Sequence, residues 1–375
     1  MNILQFICPT GFYGAERWVL ALANNISSEI NCDLAITLEP HQDSHEIIEQ
    51  YPDTAGKTHA IRTKGAFDLS AISQLSQVII DNDIQIIHTH GYKSDIIGYL
   101  AAKKAGIKCV STPHGFGESI NLKLKLYIKL GVFFLRFFDA VSPLSQQLVD
   151  EVKEQGVPDK KITYIQNSVD LKEVEAFHKN QEDTPNKKFI IGYIGQLIAR
   201  KQIHHLIEVF DKAHAQHPEI ELQILGDGFL RQELEAYANT LPSKDAIHFL
   251  GFRNDRLELL CQQSVFAMTS TSEGIPRCMM EAMGMEISIL AYDIPGIDQL
   301  VTNNETGLLA PLGDKEHLQE QLIRLITDSS LREKLAASGR KFIQDHYSAK
   351  RMATEYESLF HKLLNTSESS TDTRI

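Results

Sequence analysis

Surplus basic charge, long apolar runs and paired cysteines are all missing from this chain. Lys and Arg number 37 against 49 Asp and Glu, a net charge of −12. A general nucleic-acid binder is thereby excluded, because neutralising phosphates needs an excess of cations. No apolar run reaches the roughly 18 residues of a membrane-spanning helix. The start, MNILQFICPTG, lacks the basic region that opens a signal peptide. Five cysteines (Cys8, Cys32, Cys109, Cys261, Cys278) lie far apart with no CxxC pair, a pattern of buried free thiols in a reducing compartment. A cytoplasmic location is the expectation. The 43% apolar and 23% charged residues are those of an ordinary globular protein, and 375 residues suggest two domains.

What is present is an alternation of short Ile- and Val-rich runs with segments of helical period. Strands are predicted at 3–8, 34–38, 84–88, 108–111, 140–142 and 162–165, then at 189–194, 221–225, 247–250, 265–269 and 288–292. Between them, residues such as Ile203, Leu206, Ile207 and Phe210 fall on one helix face. That order implies βαβ units and parallel sheets covered on both faces. The alternation breaks at the polar stretch 171–188, read as a hinge. The expected layout is a first α/β domain at 1–170 and a second at 189–345. A C-terminal helix at 346–364 packs back toward the first domain, and a loose tail fills 365–375. In such open sheets the ligand crevice lies beyond the carboxyl ends of the strands.

The richest of those strand ends reads MTSTSEGIPRCMMEAMG, from Met268 to Gly284. Pro276 suits the first turn of a helix, Gly274 allows backbone to approach a ligand, and the helix tip attracts an anion. Glu273 and Glu281 would accept hydrogen bonds from sugar hydroxyls; the plain alternative is a capping Glu and a solvated one. After the run at 189–194, Arg200 and Lys201 would open a helix. Cations there oppose the helix dipole unless an anion is present, and they are what a leaving diphosphate needs.

The segment SEGIPRCMMEAM resembles the E-x7-E signature of the retaining glycosyltransferases of family 4. GYIGQLIARKQIHHLIEVF, LQILGDGFLRQELEAYA, IHFLGF and YDIPGIDQLVTNNETGLL resemble the family in the same order. The first half is sparser, with GFYGAERWVLALA, IIHTHGYKSDIIGYLAA, STPHGF and NSVD. The resemblance implies the GT-B fold, two Rossmann-like doubly wound parallel-sheet domains facing across a cleft. It implies transfer of a sugar, with retention, from a nucleoside-diphosphate sugar (UDP is the expected base) to a glycan or lipid-linked acceptor. It further implies that Glu273 lies against the donor sugar and that Glu281 binds ribose hydroxyls. Gly274, Ile275 and Pro276 would meet the sugar and diphosphate, and Lys201 with Arg200 would neutralise the diphosphate without a metal or other cofactor. Gly14, Gly195, Phe252 and Arg253 complete the implied donor side. Tyr13, His90, Tyr92, Lys93, His114 and Phe116 make the acceptor side, with His114 near the anomeric carbon.

The family pattern is broken in places. Gln196 stands where an arginine is usual, with Arg200 as its stand-in, and the family's GxPV is Glu286–Ile287–Ser288–Ile289. These departures raise a non-catalytic relative as an alternative, beside a GT-B UDP-sugar epimerase. Asp81–Asp83 imitates a metal-binding DxD but leads into a strand, and is read as a turn. His88 and His90 have no third metal ligand near in sequence and are assigned to an acceptor-side loop. Residues 121–138 carry Lys123, Lys125, Lys129 and Arg136 among large apolar side chains with no acid. They read either as an internal helix whose lysines stretch to water or as a peripheral contact with the inner face of a membrane.

Overall fold

The computed structural model describes residues 1–9, 11–65, 68–115, 122–178 and 188–368, without the side chains of 122–127, 178 and 366–368. The chain divides into two units, Met1–Ser168 with Ala349–Ile375, and Val169–Ser348. The first holds β1 (Asn2–Ile7), β2 (Asn31–Leu38), β3 (Thr58–Arg62), β4 (Ile86–His90), β5 (Lys108–Ser111) and β6 (Ala140–Val141) in the order β3-β2-β1-β4-β5-β6. The second holds β7 (Phe189–Ile194), β8 (Ile220–Leu225), β9 (Ile247–Gly251), β10 (Val265–Met268), β11 (Ser288–Asp293) and β12 (Leu308–Pro311) in the order β12-β11-β10-β7-β8-β9. Every strand pair is parallel. Counted within its own unit, each sheet reads 3-2-1-4-5-6. The order reverses between β1 and β4 in one and between β7 and β10 in the other, where an open α/β sheet leaves its binding crevice.

The strands are near-continuous apolar runs because helices cover both faces. All of β10 is buried, and Phe266 alone is worth about 2–3 kcal/mol of removed surface. Five points differ from expectation. The strand placed at 84–88 lies two residues later, because Asp83 (φ 49°) and the following residues are used in leaving the helix Ser70–Asp81. His88 and His90 are therefore strand residues and not a loop. Residues 162–165 form only a single bridge to Val141, since β6 ends just before Pro143, which has no N–H to continue the ladder. The edge strands β3 and β12 escaped prediction; β3 alternates exposed and buried residues, and β12 ends in Pro311. The start of the expected hinge is the helix Leu171–His178, whose Val174 is buried against Gly284 in the second unit. Residues 179–187 lie outside the described residues. The C-terminal helix Ala349–Glu368 belongs to the first unit, where Met352, Ala353, Tyr356, Leu359 and Phe360 join its core beside Trp18.

A polar seam runs through that core. Tyr356 Oη donates to Ser142 Oγ at 3.0 Å, Thr112 Oγ1 lies 2.7 Å from Tyr356 Oη, and His88 Nε2 lies 2.7 Å from Thr112 Oγ1. Asp95, also buried, accepts from Thr89 (2.6 Å) and Ser111 (2.7 Å), yet burial pushes its carboxyl up to about 7.

The departure at 286–289 has a physical account. Glu286 sits at φ 62° after the helix Arg277–Gly284, a left-handed turn that favours glycine. It pairs with Arg340 at 3.2 Å, and Ser288 Oγ donates to Arg332 O at 2.6 Å.

Relief of the left-handed strain outweighs a half-exposed ion pair. Glu286→Gly should therefore raise the urea midpoint, by about 0.5–1 kcal/mol of stability; a lower midpoint contradicts this. Asp95 holds its proton in the folded state up to about 7, so its contribution is complete below the unfolded carboxyl range and lost as pH rises toward 7. Asp95→Asn removes that loss. Its stability relative to wild type should climb by about 2 kcal/mol between pH 5 and pH 8 in paired denaturation curves, and a flat difference contradicts the assignment.

Candidate active site

In the second unit the chain leaves β7 through Gly195, where an added Cβ would lie 2.5 Å from Tyr193 Oη. It then makes a 3-10 turn at Ala199–Lys201, and Gln202 (φ 48°) redirects it into the helix Ile203–His214. The cations were expected to open that helix; they lie in the turn before it. The loop after β10 is stitched to this turn by backbone. Thr271 N–H donates to Arg200 O at 2.8 Å, and Thr269 Oγ1 lies 3.0 Å from both Lys201 O and Gln202 O. So fixed, the buried Lys201 ammonium pairs with the buried Glu273 carboxylate, and Arg200 Nη1 reaches Ser272 O (2.9 Å) and Glu273 Oε2 (3.5 Å). Gln196 is exposed, and among the described residues Arg200 joins Lys201 at the carboxylate. Glu273 caps no helix.

Pro276 is the N-cap residue, just ahead of the first turn in which it was expected, and the helix is Arg277–Gly284. Glu281 is not solvated: at 2% exposure, its Oε1 accepts from Arg256 Nη2 (2.8 Å) and Arg277 Nε (2.9 Å). Glu173 reaches the same two arginines at 3.5 and 3.6 Å. Gly296 (φ 92°) presses so closely that a Cβ there would lie 1.9 Å from Gly274 O. Ile275 is buried between these segments. Sequence reasoning missed Arg256, Arg277, Thr269, Thr271 and Gly296; Gly296 was within reach, since it stands in the quoted YDIPGIDQL. Phe252 and Arg253 follow the edge strand β9, and Arg253 is taken up by Asp255. The described contacts do not bring them to the Glu273 cluster.

In the first unit, Gly14 opens the helix Gly14–Asn25, and nothing among the described residues lies within 4 Å of a Cβ added there. Glu16 Oε2 accepts from Tyr13 N–H at 2.9 Å, and Tyr13 itself is half exposed. After β4, Gly91 (φ 93°) turns the chain into the helix Tyr92–Ala105. There Tyr92 packs on Gly131, and Lys93 pairs with Glu39 at 3.2 Å. His114 follows β5, and its Nε2 lies 3.2 Å from His90 Nδ1. Trp18 packs on the rings of His88, His90 and His114, with centroids 5.7, 5.1 and 5.5 Å away. Burial pushes His114 down to about 4, His88 to about 3 and His90 well below its usual value. All three rings are neutral at neutral pH. Phe116 lies outside the described residues. No group of three or more metal-ligating side chains occurs among the described residues.

Two family models cover most of the chain. Glycosyltransferase Family 4 matches residues 12–173, and Glycosyl transferases group 1 matches residues 174–342. The chain is 30% identical to the UDP-Gal:alpha-D-GlcNAc-diphosphoundecaprenol alpha-1,3-galactosyltransferase of Escherichia coli, over 70% of this chain and 72% of that one. It is 23% identical to the N-acetyl-alpha-D-glucosaminyl L-malate synthase of Bacillus anthracis, over 80% of each. Anabaena HepE, solved with UDP and glucose, superposes at a TM-score of 0.79 and 18% identity over 96% of this chain and 100% of that one. Sucrose-phosphate synthase of Thermosynechococcus elongatus gives 0.75 and 18% over 98% and 100%. At that identity the two structures speak to fold. A reversal point in each sheet, a carboxylate-edged helix tip beside a cationic turn, and family models spanning both units lead to one assignment: the chain belongs to the family 4 glycosyltransferases and has the GT-B fold.

Proposed function

We propose that this glycosyltransferase moves a sugar from a UDP-sugar to a glycan or lipid-linked acceptor, with retention at the anomeric carbon. The observation that carries the reading is the convergence of Lys201, Arg200 and Glu273 at the reversal point of the second sheet. Two cations on one carboxylate leave a net positive charge, suited to a diphosphate. The donor diphosphate competes with Glu273 for Lys201 and Arg200, which stabilise the charge that builds as it leaves. These side chains take the role that a divalent cation has elsewhere. Glu273, relieved of its partners, turns its oxygens to the sugar hydroxyls, while Glu281, oriented by Arg256 and Arg277, meets the ribose. The acceptor hydroxyl attacks the anomeric carbon on the face that the diphosphate vacates. The carbon–phosphate-oxygen bond breaks as the new carbon–oxygen bond forms, and the acceptor proton passes to the departing phosphate oxygen. UDP is favoured by the E. coli relative, whose name specifies UDP-Gal, and by the HepE complexes with UDP and UDP-glucose. The diphosphoundecaprenol acceptor of that relative supports a lipid-linked one here.

The reading also takes the enzyme to a membrane surface. Leu130, Phe133 and Phe137 are nearly half exposed along one side of the segment that begins as the helix Leu122–Leu135. Residues 99–139 hold seven Lys and Arg against Glu118 and Asp139, in a chain of net charge −12. Exposed apolar side chains among cations suit an anionic lipid face. No helix among the described residues is long and apolar enough to cross the bilayer.

Lys201→Ala should weaken UDP binding, read as a smaller UDP-induced rise in melting temperature, and slow transfer about 100-fold. Glu273→Ala should slow transfer similarly while UDP binds as well as before or better, because the competing carboxylate is gone. Wild-type transfer by either variant defeats the reading. Vesicles of phosphatidylglycerol should sediment the protein and phosphatidylcholine vesicles should not. Phe133→Ser with Phe137→Ser should abolish the difference, and equal sedimentation with both lipids would remove the membrane from the account.

A further inference from the structure

The buried nitrogens around Trp18 decide where hydrogens sit on three rings. Tyr356 spends its one hydrogen on Ser142 Oγ. It therefore accepts from Thr112 Oγ1, which in turn accepts from His88 Nε2. Neutral His88 carries its hydrogen on Nε2, and its Nδ1, buried without a partner among the described residues, is a bare lone pair. An orphaned lone pair is the more tolerable defect; buried N–H groups without acceptors are rare.

His90 obeys the same rule with its nitrogens exchanged. Its Nε2 is buried without a partner among the described residues, and its Nδ1 faces His114 Nε2 at 3.2 Å. Were Nδ1 the acceptor, the only hydrogen of the neutral ring would be stranded on Nε2. Trp18 Nε1, in the same cluster, is already a buried donor without a partner among the described residues. A hydrogen on His90 Nε2 would make a second orphaned donor in this cluster, whereas a lone pair there leaves only that of Trp18 among these rings. The hydrogen thus belongs on His90 Nδ1, donated to His114 Nε2, and His114 must carry its own on Nδ1.

We infer that His90 is a positioning residue: it locks His114 as the Nδ1–H tautomer, so that His114 presents a hydrogen-bond donor, and not a basic lone pair, to a substrate oxygen. The matching ligand group is an acceptor such as a sugar hydroxyl or ring oxygen. His114 then cannot draw the proton from the acceptor hydroxyl, which agrees with passing that proton to the leaving diphosphate. The inference rests on the proposed placement of His114 at the substrate, but the tautomer is a property of the free enzyme and is measured without one.

The test is a long-range 15N–1H correlation spectrum of the full chain labelled at histidine nitrogens, near pH 7.5. His114 is assigned by its loss in His114→Gln. Expected are a protonated Nδ1 and a bare Nε2 for His114, and the reverse for His88. A bare Nδ1 on His114 overturns the inference. His90→Phe keeps the ring volume and removes the donor, so His114 should relax to the Nε2–H form favoured by free imidazole. His90→Gln, whose amide can donate from the same place, should preserve Nδ1–H. An unchanged His114 pattern in His90→Phe, with His88 unshifted as evidence of intact folding, also overturns it. If the tautomer is as inferred but His114→Gln transfers sugar at the wild-type rate, the placement of His114 at the substrate fails while the role of His90 stands.

Discussion

The pairing of Lys201 with Glu273 governs the second unit, because both charges are buried and neither can be left alone. Removing one partner of such a pair is strongly destabilising, since the other charge is then stranded in a low dielectric. The fold meets that condition with backbone: hydrogen bonds from Thr269 and Thr271 hold the 200–202 turn against the loop after β10. On the proposed reading, a diphosphate entering here would exchange one anion for another, so the cations would never face an apolar interior unpaired.

Glu281 repeats the principle with different partners. Two arginines from two helices converge on one of its oxygens, and Glu173 balances them. Its position is thus fixed by side chains from three places in the sequence, Glu173, Arg256 and Arg277. In the first unit no comparable ion pair surrounds the histidines among the described residues. Order there comes from neutral hydrogen bonds and from the edge of Trp18, an arrangement that works only while the rings stay uncharged.

Local chemistry explains what could be read from the sequence. The β10-loop-helix passage is continuous, so its glycine, proline and spaced glutamates are visible in one line, as is the turn after β7. Both doubly wound sheets followed from apolar periodicity, although the edge strands β3 and β12 did not, being only partly buried or closed by proline. The partners of Glu281 are 25 and 4 residues from it, and nothing in the run RCMMEAMG announces Arg256. The seam from His88 to Tyr356 spans more than 260 residues. Position 286 misled because a glutamate in a left-handed turn looks, in a string of letters, like an interrupted motif.

The placement of the last helix has a further consequence for how the protein is made. Tyr356, Leu359 and Phe360 fill the core beneath a sheet whose own strands were synthesised first. During translation the middle of the polypeptide, from Val169 to Ser348, emerges complete and can close its sheet while the opening segment still waits. The earlier half of the molecule is thus the later to mature, with an apolar surface uncovered until the helix Ala349–Glu368 has been made.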